Sequence, residues 1–386
     1  MKIKTYYIMI MLYWFSAYAF VPTMTPYLSD IGLSYSMIGL VGSAYGLTQV
    51  ILRLPLGIAS DRLRRRRIFI SIGLFLGMIS SAGFFFTENE VLILLLRGLS
   101  GMGAATWVIM TVLFSSYFTR EKAAASTSRL NMVNYFGQVA AMLSGAALAG
   151  YAGYKAPFLL SAVFAAAAFV MSFFVDEKAP PETKTPPSLK EMLQVGKNHR
   201  LLTMAVLATL VQTIFFGATI TFLVEVARNL GITIGMLGFF SSVATIPRMI
   251  AGLVCGIILS KAVNERWLFA GMLLLTSVAM ILTPFMPNLL LLFIVTLFGG
   301  FGIGMVFTMT LSLCTSEVDD SLKTTGMGFF QAIYGLGITA GPAIIGIVAD
   351  HFSLTAGYLF AAGVALVGIL VSLIFLEKSK APARTG

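Results

Sequence analysis

Charge is scarce in this chain. Asp, Glu, Lys and Arg make up 11% of its 386 residues and hydrophobic residues 58%, where a soluble domain carries about a quarter of its residues charged. So little polarity cannot cover a water-facing surface, and a sizeable soluble domain is excluded. Acids are scarcer than bases, 16 against 26, and none lies deep in an apolar run: Asp30, Glu225 and Asp350 fall near run ends. The two cysteines, Cys255 and Cys314, and the two histidines, His199 and His351, make no disulfide framework and no metal-ligand spacing, so neither metal nor cofactor is expected. No Gly-x-x-x-x-Gly-Lys-Ser/Thr stretch occurs to cradle a nucleotide phosphate. No nucleophile and base stand in a recognisable constellation, which argues against a membrane enzyme such as a lipid-modifying transferase.

What is abundant is apolar sequence in long runs. A spanning helix takes about 20 predominantly apolar residues. Read against breakers, the runs give twelve spans, near 6–28, 35–60, 68–87, 91–115, 127–150, 155–175, 201–224, 234–259, 267–285, 289–312, 325–349 and 355–376. The expected class is an all-α polytopic membrane protein embedded in a lipid bilayer. The first run outlasts the ~7–15-residue core of a signal peptide and holds Pro22 and Pro26, so it is read as retained.

Basic residues cluster by position. Arg62 and Arg64 to Arg67 crowd between the second and third runs, and short loops rich in Lys and Arg stay cytoplasmic. With that loop inside, 21 of the 26 basic residues fall in cytoplasmic segments and both termini are cytoplasmic. The expected location is the cytoplasmic membrane. Topology accounts for the net charge of +10, so no nucleic-acid partner follows from it.

Residues 176–200 hold Pro180, Pro181, Pro186 and Pro187 amid mixed charge, the composition of an extended linker. Ser188 to Glu191 reads as a capping box for a short surface helix. The linker separates residues 1–175 from residues 201–386, six runs from six. These halves repeat at an offset of 199: Gly32-Leu33-Ser34-Tyr35-Ser36-Met37-Ile38-Gly39 has its echo in Gly231-Ile232-Thr233-Ile234-Gly235-Met236-Leu237-Gly238. In the same register Gly57 falls on Gly256, Gly101 on Gly300 and Gly103 on Gly302. A register kept this long implies two similar six-helix bundles. Asp61 falls on Ser260 and Arg97 on Thr296, so both charges belong to the first half alone.

Gly57-Ile58-Ala59-Ser60-Asp61-Arg62-Leu63-Arg64-Arg65-Arg66-Arg67, following Arg53-Leu54-Pro55, resembles the signature loop between spans two and three of the major facilitator superfamily of transporters. Arg64 stands where that family usually has glycine. Arg97-Gly98-Leu99-Ser100-Gly101 resembles the superfamily's second motif, found in proton-coupled members, with Ser100 in place of the usual glutamine. The resemblance covers nearly the whole chain. It implies two six-helix bundles facing a midplane site, alternating access, protons as coupling ion, a small-molecule substrate and a monomer. It further implies that Gly57, Asp61, Arg62, Arg65 and Arg66 form an inner gate with Asp61 as its latch, and that Arg97 couples protons. The plainer readings are that the loop arginines only set orientation, and that Arg97 snorkels or bonds backbone carbonyls.

Candidates for a solute cavity are Tyr18 in the first run, Arg53 and Arg248 in the inner halves of the second and eighth, Asn131, Asn134 and Gln138 in the fifth, Gln212 in the seventh, and Gln331 and Tyr334 in the eleventh. The three fifth-run amides recur at i, i+3 and i+7, one helix face, and amides in lipid must turn inward to find partners. Whether they bind solute or neighbouring helices stays open. The fifth run lacks the glycine-proline signature of drug antiporters, which places export of cationic drugs in doubt. On the resemblance the expected function is proton-coupled efflux of a small organic solute. The alternatives are uptake of a small organic anion, which intramembrane arginines without deep acids would suit, and a non-transporting membrane sensor.

Overall fold

The computed structural model describes residues 2–63, 65–118, 120–177, 194–259, 264–314, 316, 318 and 323–376, and among them there is no strand. Eleven helical stretches are long and apolar enough to cross a membrane: Ile3–Asp30, Tyr35–Arg53, Arg66–Phe86, Glu90–Ser115, Met132–Ala152, His199–Asn229, Ile234–Ile258, Glu265–Phe285, Leu289–Leu313, Thr325–His351 and Leu354–Phe375. A shorter apolar helix, Ala156–Ser172, stands where the sixth run is expected. Counting it, the spans number one to twelve in chain order. The Ser188 to Glu191 capping box lies outside the described residues.

Two compact units divide the chain, Met1–Pro186 with Ile232–Ser242, and Pro187–Gly231 with Val243–Gly386. In the first, the start of span eight packs on span five so closely that a Cβ on Gly238 would meet the Met142 carbonyl. The core of this unit gathers Tyr6, Met9, Ile10, Leu74, Met110 and Phe114. The Tyr6 hydroxyl, fully buried there, donates to the Met110 carbonyl at 2.6 Å.

The sequence repeat reappears as repeated geometry. Gly32 and Gly231, one repeat apart, both follow a first span at positive φ, 89° and 83°, a conformation that a side chain disfavours. Asn89 and Asn288, also one repeat apart, cap spans four and ten, their side chains accepting from Leu92 and Leu291 backbone N–H groups at 3.1 and 3.0 Å. Such a cap contributes about 1 kcal/mol. Span four meets span two at Gly101, where a Cβ would strike the Tyr45 carbonyl; in the second unit Gly300 meets the Ala244 carbonyl at the matching place. Gly103 against the Gly73 carbonyl is matched by Gly302 against the Met272 carbonyl. In lipid no hydrophobic force drives helices together, so backbone approach at small residues supplies the packing.

The first span of each unit is interrupted at one shared register. Span one is two helices, Lys2–Tyr18 and Val21–Asp30. Pro22, at the start of the second, has no N–H to continue the ladder. Span seven has no proline at its break; instead Phe215–Phe222 winds as a π-helix, bringing Ala218 to the repeat position of Ala19. A wider turn leaves carbonyls to be satisfied from outside the helix. The Tyr358 hydroxyl donates to the Ala218 carbonyl at 3.0 Å.

Candidate functional site

Arg97 lies seven residues into the span that starts at Glu90, about 10 Å along the helix axis. It is 6% exposed. Its guanidinium carbon sits 4.4 Å from the centroid of the Tyr45 ring and 5.5 Å from that of Phe20, and Tyr18 lies within electrostatic range. Its Nε has no hydrogen-bond partner, and among the described residues no carboxylate pairs with it. A charge at the centre of a span costs at least ~2.5–3.5 kcal/mol, and a cation–π contact returns about 0.5–2 kcal/mol. The rings offset part of that cost but supply no hydrogen-bond acceptor to the Arg97 Nε. It is packed away from lipid, so the geometry is not that of a snorkelling side chain.

Tyr45, Gln49 and Arg53 follow at i, i+4 and i+8 on the helix Tyr35–Leu63 and share one face. Arg53 donates from Nη2 to Gln49 Oε1 at 2.8 Å, and Gln49 donates in turn to the Tyr45 carbonyl at 3.4 Å. The Arg53 Nε has no partner. Tyr13 on span one lies in electrostatic range of Tyr45, Tyr18 and Arg53. Beside it is Trp14, whose indole N–H is also without a partner. The structure thus brings Tyr18, Arg53 and Arg97 into one neighbourhood rich in donors.

On span five Asn134 and Gln138 are buried, as the one-face pattern predicts, and Gln138 donates to Asn134 Oδ1 at 2.5 Å. That bond uses part of each amide's capacity within the helix itself. The Asn131 side chain lies outside what the structure describes.

The second unit treats its arginine differently. Arg248 packs its guanidinium 3.7 Å from the Phe215 ring centroid and 5.1 Å from that of Phe307, and donates from Nη2 to Gln212 Oε1 at 3.0 Å. Gln212 is 3% exposed. Phe307 continues edge-on to Tyr334 at 5.5 Å, so Gln212, Arg248 and Tyr334 form one connected cluster. Gln331, half-buried three residues before Tyr334, makes no hydrogen bond among the described residues. Among the described residues Glu225 alone of the acids is buried, and Arg228 stands 3.9 Å from it.

In the charged loop, Gly57 lies on helix Tyr35–Leu63 with open space where a Cβ would be. Arg62 and Arg65 are exposed, whereas Arg66 is 4% exposed at the start of span three. The Asp61 side chain and Arg64 lie outside what is described. The loop is tied to the end of span six: the Arg67 backbone N–H donates to Glu177 at 3.2 Å and its guanidinium to the Phe173 carbonyl at 3.5 Å. Nearby the Tyr117 hydroxyl donates to the Asp176 carbonyl. Burial, with Asp176 and Glu177 alongside, pushes its pKa up to about 12, so it stays a donor at neutral pH.

Sequence reasoning passed over Tyr45, Gln49, Phe20, Phe215 and Phe307. Two signals point to some of them. Tyr45, Gln49 and Arg53 keep helical spacing, and Arg248 occupies the repeat position of Gln49. No local pattern marks the phenylalanines, because their role is to lie against a guanidinium from another span.

Comparison with known proteins agrees with this architecture. A family model described as Major Facilitator Superfamily matches residues 6–226 and 205–386. An uncharacterized MFS-type transporter of Methanocaldococcus jannaschii is 22% identical over 92% of this chain and 93% of its own. A protein of Mannheimia succiniciproducens described as a probable sugar efflux transporter is 26% identical over 95% of this chain and 92% of its own. An uncharacterized transporter of Buchnera aphidicola is 30% identical, but over only 40% of each chain. Among solved structures the nucleoside transporter NupG superposes with a TM-score of 0.77 at 16% identity, over 97% of this chain and 98% of that one. A bacterial homologue of the lysosomal transporter Spinster gives 0.77 at 15%, over 96% and 94%. At such identities the likeness is one of fold. With a family model spanning both halves, the glycine-packed repeat and the charged loop between spans two and three, the chain belongs to the Major Facilitator Superfamily of membrane transporters.

Proposed function

We propose that this transporter is a proton-coupled secondary carrier that exports a small organic solute by alternating access, from the cytoplasmic membrane and with both termini cytoplasmic. Export is supported by the likeness to the probable sugar efflux transporter, and the orientation by the basic loop. We keep residues 1–175 and 201–386 as the two functional bundles, and a monomer as the working unit. Gly57, Asp61, Arg62, Arg65 and Arg66 are assigned to the gate on the loop side. Asp61→Asn should preserve insertion while increasing the labelling of cysteines placed at that end, and unchanged labelling would remove the latch role.

The observation that carries the coupling assignment is Arg97: buried, confined to one half of the repeat, and without a carboxylate among the described residues. A cation held in that way lowers the pKa of whatever titrating group approaches it. Arg97→Gln should abolish gradient-driven accumulation in vesicles, and Arg97→Lys, which keeps the cation, should retain more of it. Full retention of proton-driven transport would sink the coupling role. The same uncompensated charge favours a second reading, uptake of a small organic anion, which counterflow in vesicles of known orientation separates from export.

A further inference from the structure

We propose that Arg97, with Tyr45 and Tyr18 beside it, binds a negatively charged group of the solute, a carboxylate or phosphate, inside the first unit. The inference rests on the reading of the chain as a small-solute transporter and adds the chemistry of what is carried.

Three observations converge on it. Arg97 is 6% exposed, yet the contacts of its guanidinium are to rings, at 4.4 Å from Tyr45 and 5.5 Å from Phe20. A ring face gives a guanidinium no lone-pair acceptor, and its in-plane N–H groups form the fork that matches two oxygens of a carboxylate or phosphate. The Nε is without a partner. Next, the surroundings are donors as well: the indole N–H of Trp14 and the Nε of Arg53 are buried without partners, and Tyr45 interacts with both Arg53 and Arg97. Among the described residues no acid stands among these groups. A cationic solute would add to the surplus, a neutral one would relieve little of it, and an anion with several acceptor oxygens matches it. Finally, the repeat shows that the scaffold does not require the pair. Where the first half has Arg97 and Tyr45, the second has Thr296 and Ala244, while the backbone contacts of Gly101 and Gly103 recur at Gly300 and Gly302.

The test is thermal unfolding of the purified full chain in detergent at neutral pH and fixed ionic strength, with sodium chloride exchanged for sodium phosphate, benzoate or gluconate. The same salts on Arg97→Gln subtract the general stabilisation that an excluded salt gives any protein. At least one of the three anions should raise Tm by a few degrees beyond that control, as a ligand of the folded state does. Arg97→Lys, which keeps the charge and loses the fork, should show a smaller rise. In chloride alone Arg97→Gln should melt no lower than the native chain, since an uncompensated buried charge has been removed. Absence of any anion-specific rise, an equal rise in Arg97→Gln, or a lower melting point for that variant in chloride each overturns the proposal. The measurement uses no gradient, so failure of proton-driven transport leaves it untouched, and failure of the anion arm leaves the transport reading standing.

Discussion

Both units hold an arginine inside a span, and they compensate it in opposite ways. Arg248 has a ring at 3.7 Å, a second at 5.1 Å and a hydrogen bond to Gln212. Arg97 has two rings and no hydrogen bond among the described residues. A charge-assisted hydrogen bond contributes about 1.5–3 kcal/mol, enough with cation–π contacts to offset the ~2.5–3.5 kcal/mol of a charge inside a span. Arg248 therefore reads as a side chain fixed in place by the protein itself. Arg97 reads as one that still calls for an anion. The lesson is that an arginine in a span says little until its partners are known, and that a repeat supplies its own control, since each arginine can be compared with the uncharged residue at the matching place.

The comparison can be broken most severely at the scaffold the units share. Gly101→Ala and Gly300→Ala should each lower the unfolding free energy by about 1–3 kcal/mol. Gly101 should suffer more, because both the Tyr45 carbonyl and the Thr48 side chain occupy the space of its Cβ. Gly77, with nothing within 4 Å of a Cβ, is the control, and Gly77→Ala should cost nothing measurable in the same thermal scan. If Gly300→Ala is as benign as Gly77→Ala, the two units do not share a packing rule.

The difference between the arginines is sharpened by a smaller effect. Arg248→Met should destabilise the ligand-free protein by about 1–2 kcal/mol, because it strips the partner from the buried amide of Gln212. Arg97→Gln should not destabilise it at all. Equal losses for both, read by Tm in chloride, would mean that Arg97 is as structural as Arg248.

Much of the fold was legible in the chain alone. Twelve apolar runs, their basic loops and the 199-residue register follow from hydropathy and from glycines, which are needed wherever backbones touch. Such features are local or periodic, and each is written in one stretch of residues. The break in span one was hinted at by Pro22, but the π-helical turn at Phe215–Phe222 was not, since no proline or glycine pair announces it. Its wide turn is supported by Tyr358, which lies 140 residues away.

The candidate site divides along the same line. Composition and spacing determined that arginines and amides lie within spans, that acids keep near the span ends, and that Asn134 and Gln138 share a buried face. Only the tertiary structure decided which arginine is compensated. Tyr45 is 52 residues from Arg97, and Phe307 is 59 residues from Arg248. A guanidinium's energy in a membrane depends on the few ångströms around it, and those are filled by side chains from other spans, whose identity no window of sequence around the arginine contains.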